Sequence, residues 1–333
     1  MRSARVAFLV FALLIGDFRT ASAREYANDE LGASRNVPAH ALVVGNREYI
    51  KPLPLLPAAD KDAKVMAALL ASLGFDVIVR VNVSQVDFMK EILELSKRAK
   101  IGHKYGIKPL VVLYFSGHGF VDDDGRQFMV GVDARNGGKS IEEAAVGVED
   151  AIDILSKESI AVALVDACRS DFHIDPDRDQ GISATANPPM RPSGVPLEIA
   201  APDADYLVGY ANQRGASVSG YVDKDDHNSP YSEGLVRYLG NDHPIEFELG
   251  LVHDYMVRLK IHHDPRVDPH ISGDVYASYS AGFKEIIEKE WATIKKTPTE
   301  ESVRVFILRY RNGPFVPAAT RWEAAHGSAE SLP

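Results

Sequence analysis

The sequence predicts an α/β protein: a mostly parallel sheet of about six strands with helices on both faces, followed by a small C-terminal helical extension. Short apolar segments alternate along the chain with longer segments whose apolar residues recur at helical spacing, an order typical of such sheets. The composition, 45% hydrophobic and 25% charged in 333 residues, is that of a globular protein. The net charge of −10, without a basic block, argues against a nucleic-acid partner.

The N-terminus is typical of an export signal. Two arginines precede an apolar run from Val6 to Ile15, and Ala21-Ser22-Ala23 supplies the small residues of a signal-peptidase site. The alternative is a membrane anchor, but this run is about half of the ~20 apolar residues that span a bilayer. We therefore expect a signal peptide over 1–23, a loose leader over 24–38, and a secreted or periplasmic protein with no membrane segment after signal removal.

The first four predicted elements alternate as strand, helix, strand and helix. Ala41 to Val44 is a short apolar run closed by Gly45, which predicts a buried strand. The segment ADKDAKVMAALLASLG has acids in its first turn and Gly74 past its end, which predicts a capped helix. FDVIVRV alternates and is expected to be a strand, with one side formed by Phe75, Val77, Val79 and Val81. Ser84 and Asp87 form a capping pair before a helix whose apolar face carries Phe88, Ile92, Leu95 and Ala99.

The remaining strands are predicted from four further apolar segments. They are LVVLYF (110–115), IAVALV (160–165), YLVGYA (206–211) and DVYASY (274–279). A hairpin is expected around Asp124-Gly125. Helices are expected through Val148, Ile152 and Leu155, and over Pro230 to Leu239 and Ile245 to Leu259.

Two segments fall outside this alternation. Residues 173–203 are rich in Pro, Asp, Gly and Ala and have little periodicity, so we expect a long mobile loop of the inter-subunit type. Beyond Gly282, two short amphipathic helices are expected. The main domain is therefore predicted over 39–282 and the helical extension over 283–333.

Reactive side chains follow two of the predicted strands. LVVLYF leads into Ser116-Gly117-His118-Gly119, and IAVALV leads into Asp166-Ala167-Cys168-Arg169. Neighbouring parallel strands end at the same edge of a sheet, where sites of open α/β sheets form. His118 and Cys168 are therefore expected to meet. The alternative for Cys168, the only cysteine, is an inert core residue.

A histidine beside this cysteine would make it a nucleophile. A thiol with a pKa near 8.5 is little ionised at neutral pH, and an imidazole raises that fraction or takes the proton during attack. The glycines around His118 allow close approach of a substrate, and the amide of Gly119 with that of Cys168 could stabilise an oxyanion. Together the two motifs predict a cysteine–histidine dyad.

These residues resemble the caspase/metacaspase superfamily, in particular bacterial caspase-like cysteine peptidases, over about Ala39 to Tyr279. DACRS agrees with the caspase signature at its central Ala-Cys-Arg and departs at both flanks. YFSGHGF, AADKDAKVMAALLASLGFDV and NSPYSEGL match other family segments in the right order. The resemblance implies a caspase-like three-layer sandwich, with Cys168 as the nucleophile, His118 as the general acid/base and Gly119 as the oxyanion partner.

The departures from caspases bear on specificity. The arginines and glutamine that caspases use to hold an aspartate are missing, and Asp166 stands at the glutamine position. The positions that match the acidic pocket of metacaspases are Asp62, Ser116 and Asp166. Two carboxylates attract a cation, so we expect cleavage after Arg or Lys. The alternative for Asp62 is a charge that stabilises a helix N-terminus.

Other candidates carry less chemistry. Residues 122–125 (DDDG) could bind calcium, which many metacaspases require, but they suit a hairpin turn better. His262, His263 and His270 match no standard zinc spacing and are expected on a surface loop. Arg178 and Arg191 could be self-cleavage sites. We expect no metal or other cofactor.

We predict a cysteine endopeptidase that hydrolyses protein or peptide substrates and is a monomer. Two alternatives remain open at this point. One is a non-catalytic caspase homologue that binds partner proteins, and the other is a cysteine hydrolase that acts on small amides.

Overall fold

The computed structural model describes residues 38–51, 53–103, 108–122, 125–134, 141–167, 172–173, 183–184, 204–211, 227–259 and 266–326. The strands in this part of the chain are β1 (Ala39–Gly45), β2 (Asp76–Val81), β3 (Leu110–Gly117), β4 (Gly119–Val121), β5 (Gln127–Val130), β6 (Ala145–Gly147), β7 (Ile160–Ala167), β8 (Phe172–His173), β9 (Ser183–Ala184), β10 (Tyr206–Tyr210) and β11 (Arg266–His270). The α-helices are α1 (Ala59–Ser72), α2 (Gln85–His103), α3 (Val148–Ser156), α4 (Pro230–Tyr238), α5 (Ile245–Arg258), α6 (Ala281–Ile294), α7 (Glu300–Arg309) and α8 (Val316–His326).

The main sheet has six strands in the order β11-β10-β7-β3-β1-β2. All neighbours pair in parallel except β10 and β11, so the predicted mostly parallel sheet is confirmed. The central strands β3 and β7 are buried along their whole length, because helices cover both faces. Helices α2 and α3 pack on one face, and α1, α4 and α5 pack on the other. The result is three layers, as a caspase-like fold requires.

The strand β2 is buried along only part of its length. Its buried residue is Ile78, which packs with α2, whereas Val79 and Val81 are 39% and 48% exposed. On the side predicted for Phe75, Val77, Val79 and Val81, the first two pack against the cluster that contains α1, and burial does not extend to the last two. The reason is position: β2 is the edge of the sheet, and the last turns of α1 cover only the start of that face.

The sixth strand is not the segment that the sequence predicted. DVYASY forms only an isolated bridge, Pro244 to Tyr276. The Tyr276 N–H donates to Asn312 Oδ1, and Asn312 Nδ2 donates to the Tyr276 carbonyl oxygen. The strand at this edge is β11, within the segment expected to be a surface loop, and it pairs antiparallel with β10. Its Pro269 is tolerated because an edge strand leaves one row of backbone groups unpaired.

A small second sheet adjoins the main one. Strands β4, β5 and β6 form it, and β4 and β5 make the hairpin predicted around Asp124-Gly125. Gly125 has a φ of 89°, a left-handed conformation that suits glycine in such a turn. Strands β8 and β9 pair within the region predicted as a long loop. The rest of 173–203 lies outside the described residues, as do the predicted signal peptide and almost all of the leader.

The C-terminal extension contains three helices, α6, α7 and α8, where two were predicted. RNGPF, between α7 and α8, interrupts what the sequence presented as one amphipathic segment. The helices form a separate hydrophobic cluster that also includes Tyr276, and in it the ring centroids of Trp291 and Phe306 lie 5.1 Å apart, with the rings tilted by 33°. Among the described residues, no helix has the length and apolar character needed to cross a membrane.

Candidate active site

The two strands that were expected to end in reactive residues are neighbours. β3 and β7 pair in parallel, with Ser116 opposite Asp166 and Gly117 opposite Ala167 as the last pairs. His118 follows directly after this register ends. Cys168, predicted to be the nucleophile, lies outside the described residues, and so do Arg178, Arg191, His262 and His263.

The His118 side chain is held in one orientation. Its Nε2 lies 2.9 Å from the Pro54 carbonyl oxygen, so Nε2 carries the proton and donates it to that oxygen. Its backbone N–H donates to the Tyr49 hydroxyl at 2.8 Å, and the edge of the Tyr49 ring contacts the imidazole with centroids 4.6 Å apart. The tautomer fixed by Pro54 makes Nδ1 the basic nitrogen.

Burial also sets the charge of His118. The residue is 6% exposed, and desolvation lowers its pKa below the usual value of 6.5, while the hydrogen bond to Pro54 raises it in part. A lowered pKa keeps the imidazole neutral near neutral pH. A neutral imidazole with a defined tautomer can accept a proton, as a general base must.

Gly119 lies immediately after His118, at the start of β4. It is paired with Met129 of β5, and the His118 carbonyl accepts from the Val130 amide at 3.0 Å. The hairpin therefore fixes the backbone on the C-terminal side of the histidine. On its N-terminal side, a Cβ on Gly117 would lie 2.5 Å from the Tyr49 hydroxyl, so glycine is required for this close packing.

Asp62 is fully buried and its carboxylate accepts four hydrogen bonds. Ser116 Oγ donates to Oδ2 at 3.2 Å. Ser232 Oγ, the Ser229 amide and Asn228 Nδ2 donate to Oδ1 at 2.7, 2.8 and 3.0 Å. Although Asp62 lies in the first turn of α1, its bonded partners belong to β3 and to the start of α4.

Asp166 lies beside Asp62 and is bonded to the same segment. Ser229 Oγ donates to Asp166 Oδ2 in a very short hydrogen bond, and the Tyr114 hydroxyl donates to the same oxygen at 3.4 Å. The three residues predicted for an acidic pocket, Asp62, Ser116 and Asp166, are therefore brought together at the carboxyl edge of the sheet.

The two carboxyl groups perturb each other. Desolvation, then the charge of Asp62, raises the pKa of Asp166 to about 7. Desolvation raises the pKa of Asp62 as well, and the four hydrogen bonds to its carboxylate lower that pKa in part. Burial, then the charge of Asp166, raises the pKa of both Tyr114 and Tyr231 well above the usual range, so these hydroxyls stay protonated. Near neutral pH the cluster thus carries negative charge that no described cation neutralises.

Five residues of the site were missed in the sequence. Tyr49 and Pro54 lie in the loop after β1, and Pro54 acts through its backbone carbonyl, which no side-chain motif reveals. Asn228, Ser229 and Ser232 lie in NSPYSEGL, which was matched to the family as a segment without a role for these side chains. Ser229 caps α4, by accepting from the Ser232 amide, but the same hydroxyl also bonds Asp166.

The other candidate sites have structural roles where they are described. Asp122 accepts from the Arg126 amide and Nε, both at 2.7 Å, which closes the β4–β5 hairpin. His270 stacks on Tyr206 across the β10–β11 edge. Within the described residues, no group of three or more His, Cys, Asp or Glu side chains could hold a metal ion.

Comparisons with known proteins identify the family of the chain. A search of curated proteins found no match. A family model described as a caspase domain matches residues 38–261, which include the whole of β1 to β10 and helices α1 to α5. The match covers both strand ends of the site and the NSPYSEGL segment. The chain therefore belongs to the caspase-domain family of cysteine peptidases.

Proposed function

We propose that the protein is a cysteine endopeptidase that cleaves after Arg or Lys, with Cys168 as its nucleophile and His118 as its general acid/base. The observation that carries this proposal is the pair of buried carboxylates, Asp62 and Asp166, at the strand edge where His118 lies. Cys168 follows Ala167, which is paired with Gly117, the residue before His118. This strand pairing supports the assignment of Cys168 and His118 to one dyad.

The reaction is an acyl transfer. The Cys168 sulfur attacks the carbonyl carbon of the scissile bond, and its proton passes to Nδ1 of His118. The amides of Gly119 and Cys168 stabilise the oxyanion. The C–N bond then breaks as His118 returns the proton to the leaving amine, which leaves a thioester. Water attacks the thioester and gives a proton to His118, the C–S bond breaks to release the acid, and the sulfur regains its proton.

The acidic cluster explains why a basic side chain is preferred. Removal of two carboxylates from water is costly unless a partner neutralises them. A guanidinium or ammonium group supplies that partner through charge-assisted hydrogen bonds, and a substrate aspartate would add a third negative charge. The cluster therefore discriminates by repulsion as well as by attraction.

The test uses peptides that differ only in the residue before the cleaved bond. We expect hydrolysis of the Arg and Lys peptides, little of the citrulline peptide, and none by Cys168→Ala. Because the chain has one cysteine, iodoacetamide reports on Cys168 alone. Labelling near neutral pH should exceed that of an ordinary thiol and slow in His118→Ala. A preference for Asp, or labelling that His118→Ala leaves unchanged, would contradict the proposal.

We also propose that residues 1–23 are removed on export and that the mature enzyme acts outside the cytoplasm. The proposal is supported by the charged, apolar and small-residue order of the N-terminus. Intact mass of the protein recovered from the periplasm or medium should correspond to a chain that starts at Arg24. Recovery of the active form in the cytoplasm with Met1 retained would contradict it.

The proposed chemistry needs no cofactor, since the dyad supplies both nucleophile and proton carrier. Rates measured in EDTA and in added calcium should therefore agree. Stimulation by calcium would show that a metal site takes part.

A further inference from the structure

We propose that Ser229 is a positioning residue that determines specificity: it joins Asp62, which the protein itself holds, to Asp166, which contacts the basic side chain of the substrate. This inference rests on the proposed function and assigns different roles to the two carboxylates. The bridge runs from the N-terminus of α4 to the first turn of α1 and to the end of β7, three elements that are distant in the sequence.

Asp62 is enclosed by the protein and bonded on both carboxylate oxygens, which makes it the less accessible of the two acids. Oδ1 of Asp62 accepts from three donors and Oδ2 accepts from Ser116, so of the four lone-pair positions of a carboxylate one, on Oδ2, is left. The residue has no exposed surface. A substrate cation would have to displace donors from β3 or from α4 to reach it. Asp62 therefore acts through its charge and through the segment that it holds in place.

Asp166 differs in both respects. Asp166 lies deeper among protein atoms than Asp62. Even so, 8% of the surface of Asp166 is exposed to solvent, and none of the surface of Asp62 is. Within the described residues its two donors, Ser229 and Tyr114, both bond Oδ2. Oδ1 accepts from no donor in the described part of the chain, and we assign to it the contact with a guanidinium or ammonium group.

Ser229 connects the two acids through separate groups. Its backbone N–H donates to Asp62 Oδ1 at 2.8 Å, and its hydroxyl donates to Asp166 Oδ2. The hydroxyl also accepts from the Ser232 amide at 3.0 Å, so the helix cap fixes its position. The bond from Ser229 lowers the pKa of Asp166, opposing the burial that raises it. Ser229 therefore favours the ionised form of Asp166, which is the form that binds a cation.

The experiment compares the full mature chain with Ser229→Ala, Ser229→Gly, Ser229→Thr and the control Ser280→Ala. Glycine serves nearly as well as serine at an N-cap, so Ser229→Gly removes the hydroxyl with little effect on α4. Threonine restores the hydroxyl. Ser280 caps α6 by accepting from the Phe283 amide, away from the site, so its loss reports on capping alone. KM and kcat are measured from pH 6 to 8.5 on peptides with Arg or its neutral isostere citrulline before the cleaved bond.

We expect Ser229→Ala and Ser229→Gly to raise KM for the Arg peptide about tenfold, the effect of one hydrogen bond to a charged group. The kcat should change by less than about twofold, and the small rate on citrulline should not change. The pH midpoint at which KM falls should move upward, because the ionised form of Asp166 has lost a donor. Ser229→Thr and Ser280→Ala should behave as the wild type.

Equal losses on the Arg and citrulline peptides would show a structural role and overturn this inference, as would an unchanged KM and pH midpoint. Both results are distinguishable from failure of the proposed function. A wild-type enzyme that does not prefer Arg over citrulline would overturn the proposed function, and with it the role of Ser229.

Discussion

The sharpest consequence of the acidic cluster is that Asp166→Asn should stabilise the protein while it impairs catalysis. The carboxyl group of Asp166 has a pKa of about 7 in the folded protein, raised from its usual 3.8 by burial and by Asp62. A raised carboxyl pKa means that folding favours the protonated form. Its contribution to stability is complete below pH 4 and is lost as the pH rises through about 7.

The size of the effect follows from the difference in pKa. About three pKa units separate folded and unfolded chains, and each corresponds to about 1.4 kcal/mol, so the wild type loses on the order of 4 kcal/mol between pH 4 and 8. Asparagine carries no charge at either pH. Both donors to Asp166, from Ser229 and Tyr114, bond the same oxygen, so the amide oxygen of asparagine can accept both.

The assay is thermal unfolding at pH 4.5 and pH 8, with hydrolysis of an Arg peptide measured at pH 8. At pH 8 the melting temperature of Asp166→Asn should exceed that of the wild type by several degrees, at roughly 2 °C per kcal/mol. At pH 4.5 the difference should shrink to about a quarter of its value at pH 8. The kcat/KM should fall at least about 100-fold, because one member of a desolvated charge pair is lost.

The matched control is Asp254→Asn, which changes the same side chain where it is largely exposed. It should alter neither the melting temperature nor kcat/KM at either pH. A variant Asp166→Asn that melts below the wild type at pH 8, or that keeps the wild-type pH dependence, would refute the assignment of the raised pKa to Asp166.

Three further substitutions test the contacts that position His118 and that stabilise the surrounding fold. Tyr49→Phe removes the acceptor of the His118 amide, which should cost about 1–3 kcal/mol and lower kcat/KM; an unchanged kcat/KM would deny Tyr49 a positioning role. Gly273→Ala, at φ 105°, would place Cβ 2.2 Å from the Leu308 carbonyl oxygen, so α7 should detach and become sensitive to limited proteolysis, unlike the wild type. Glu248→Ala removes the acceptor of two backbone amides and should lower the melting temperature without changing kcat/KM on Arg peptides below the transition.

The fold was predictable where the signal is local. Buried strands such as β3 and β7 are continuous apolar runs, and α2 carries both its capping pair and its apolar face in one segment. The edges of the sheet were not predictable in this way. β11 contains charged residues and Pro269, and it becomes a strand only because β10 supplies its antiparallel partner. DVYASY alternates like a strand, but the side chain of Asn312 takes the place of a neighbouring strand at Tyr276.

The site was predictable to the extent that strand ends determine it. Register between β3 and β7 follows from two apolar runs of equal length, and it places Ser116 opposite Asp166. The groups that orient these residues were not predictable. The Pro54 carbonyl belongs to the backbone of a loop, and Ser229 reaches Asp166 only after α4 packs beside α1. Such contacts depend on tertiary packing, which no single segment records.

The raised pKa of Asp166 connects the free energy of unfolding of the enzyme to its proposed selectivity. In the free enzyme, burial and the charge of Asp62 both act against ionisation of Asp166. A guanidinium at Oδ1 would oppose the effect of the Asp62 charge and lower the pKa of Asp166, because an opposite charge within about 4–6 Å favours the ionised carboxylate. Binding of an Arg side chain should therefore release a proton near pH 7, whereas the citrulline isostere should release none. On the proposed function, the unfavourable free energy of an ionised Asp166 beside Asp62 is relieved by a basic substrate and not by a neutral one, so the buried pair itself would favour Arg or Lys.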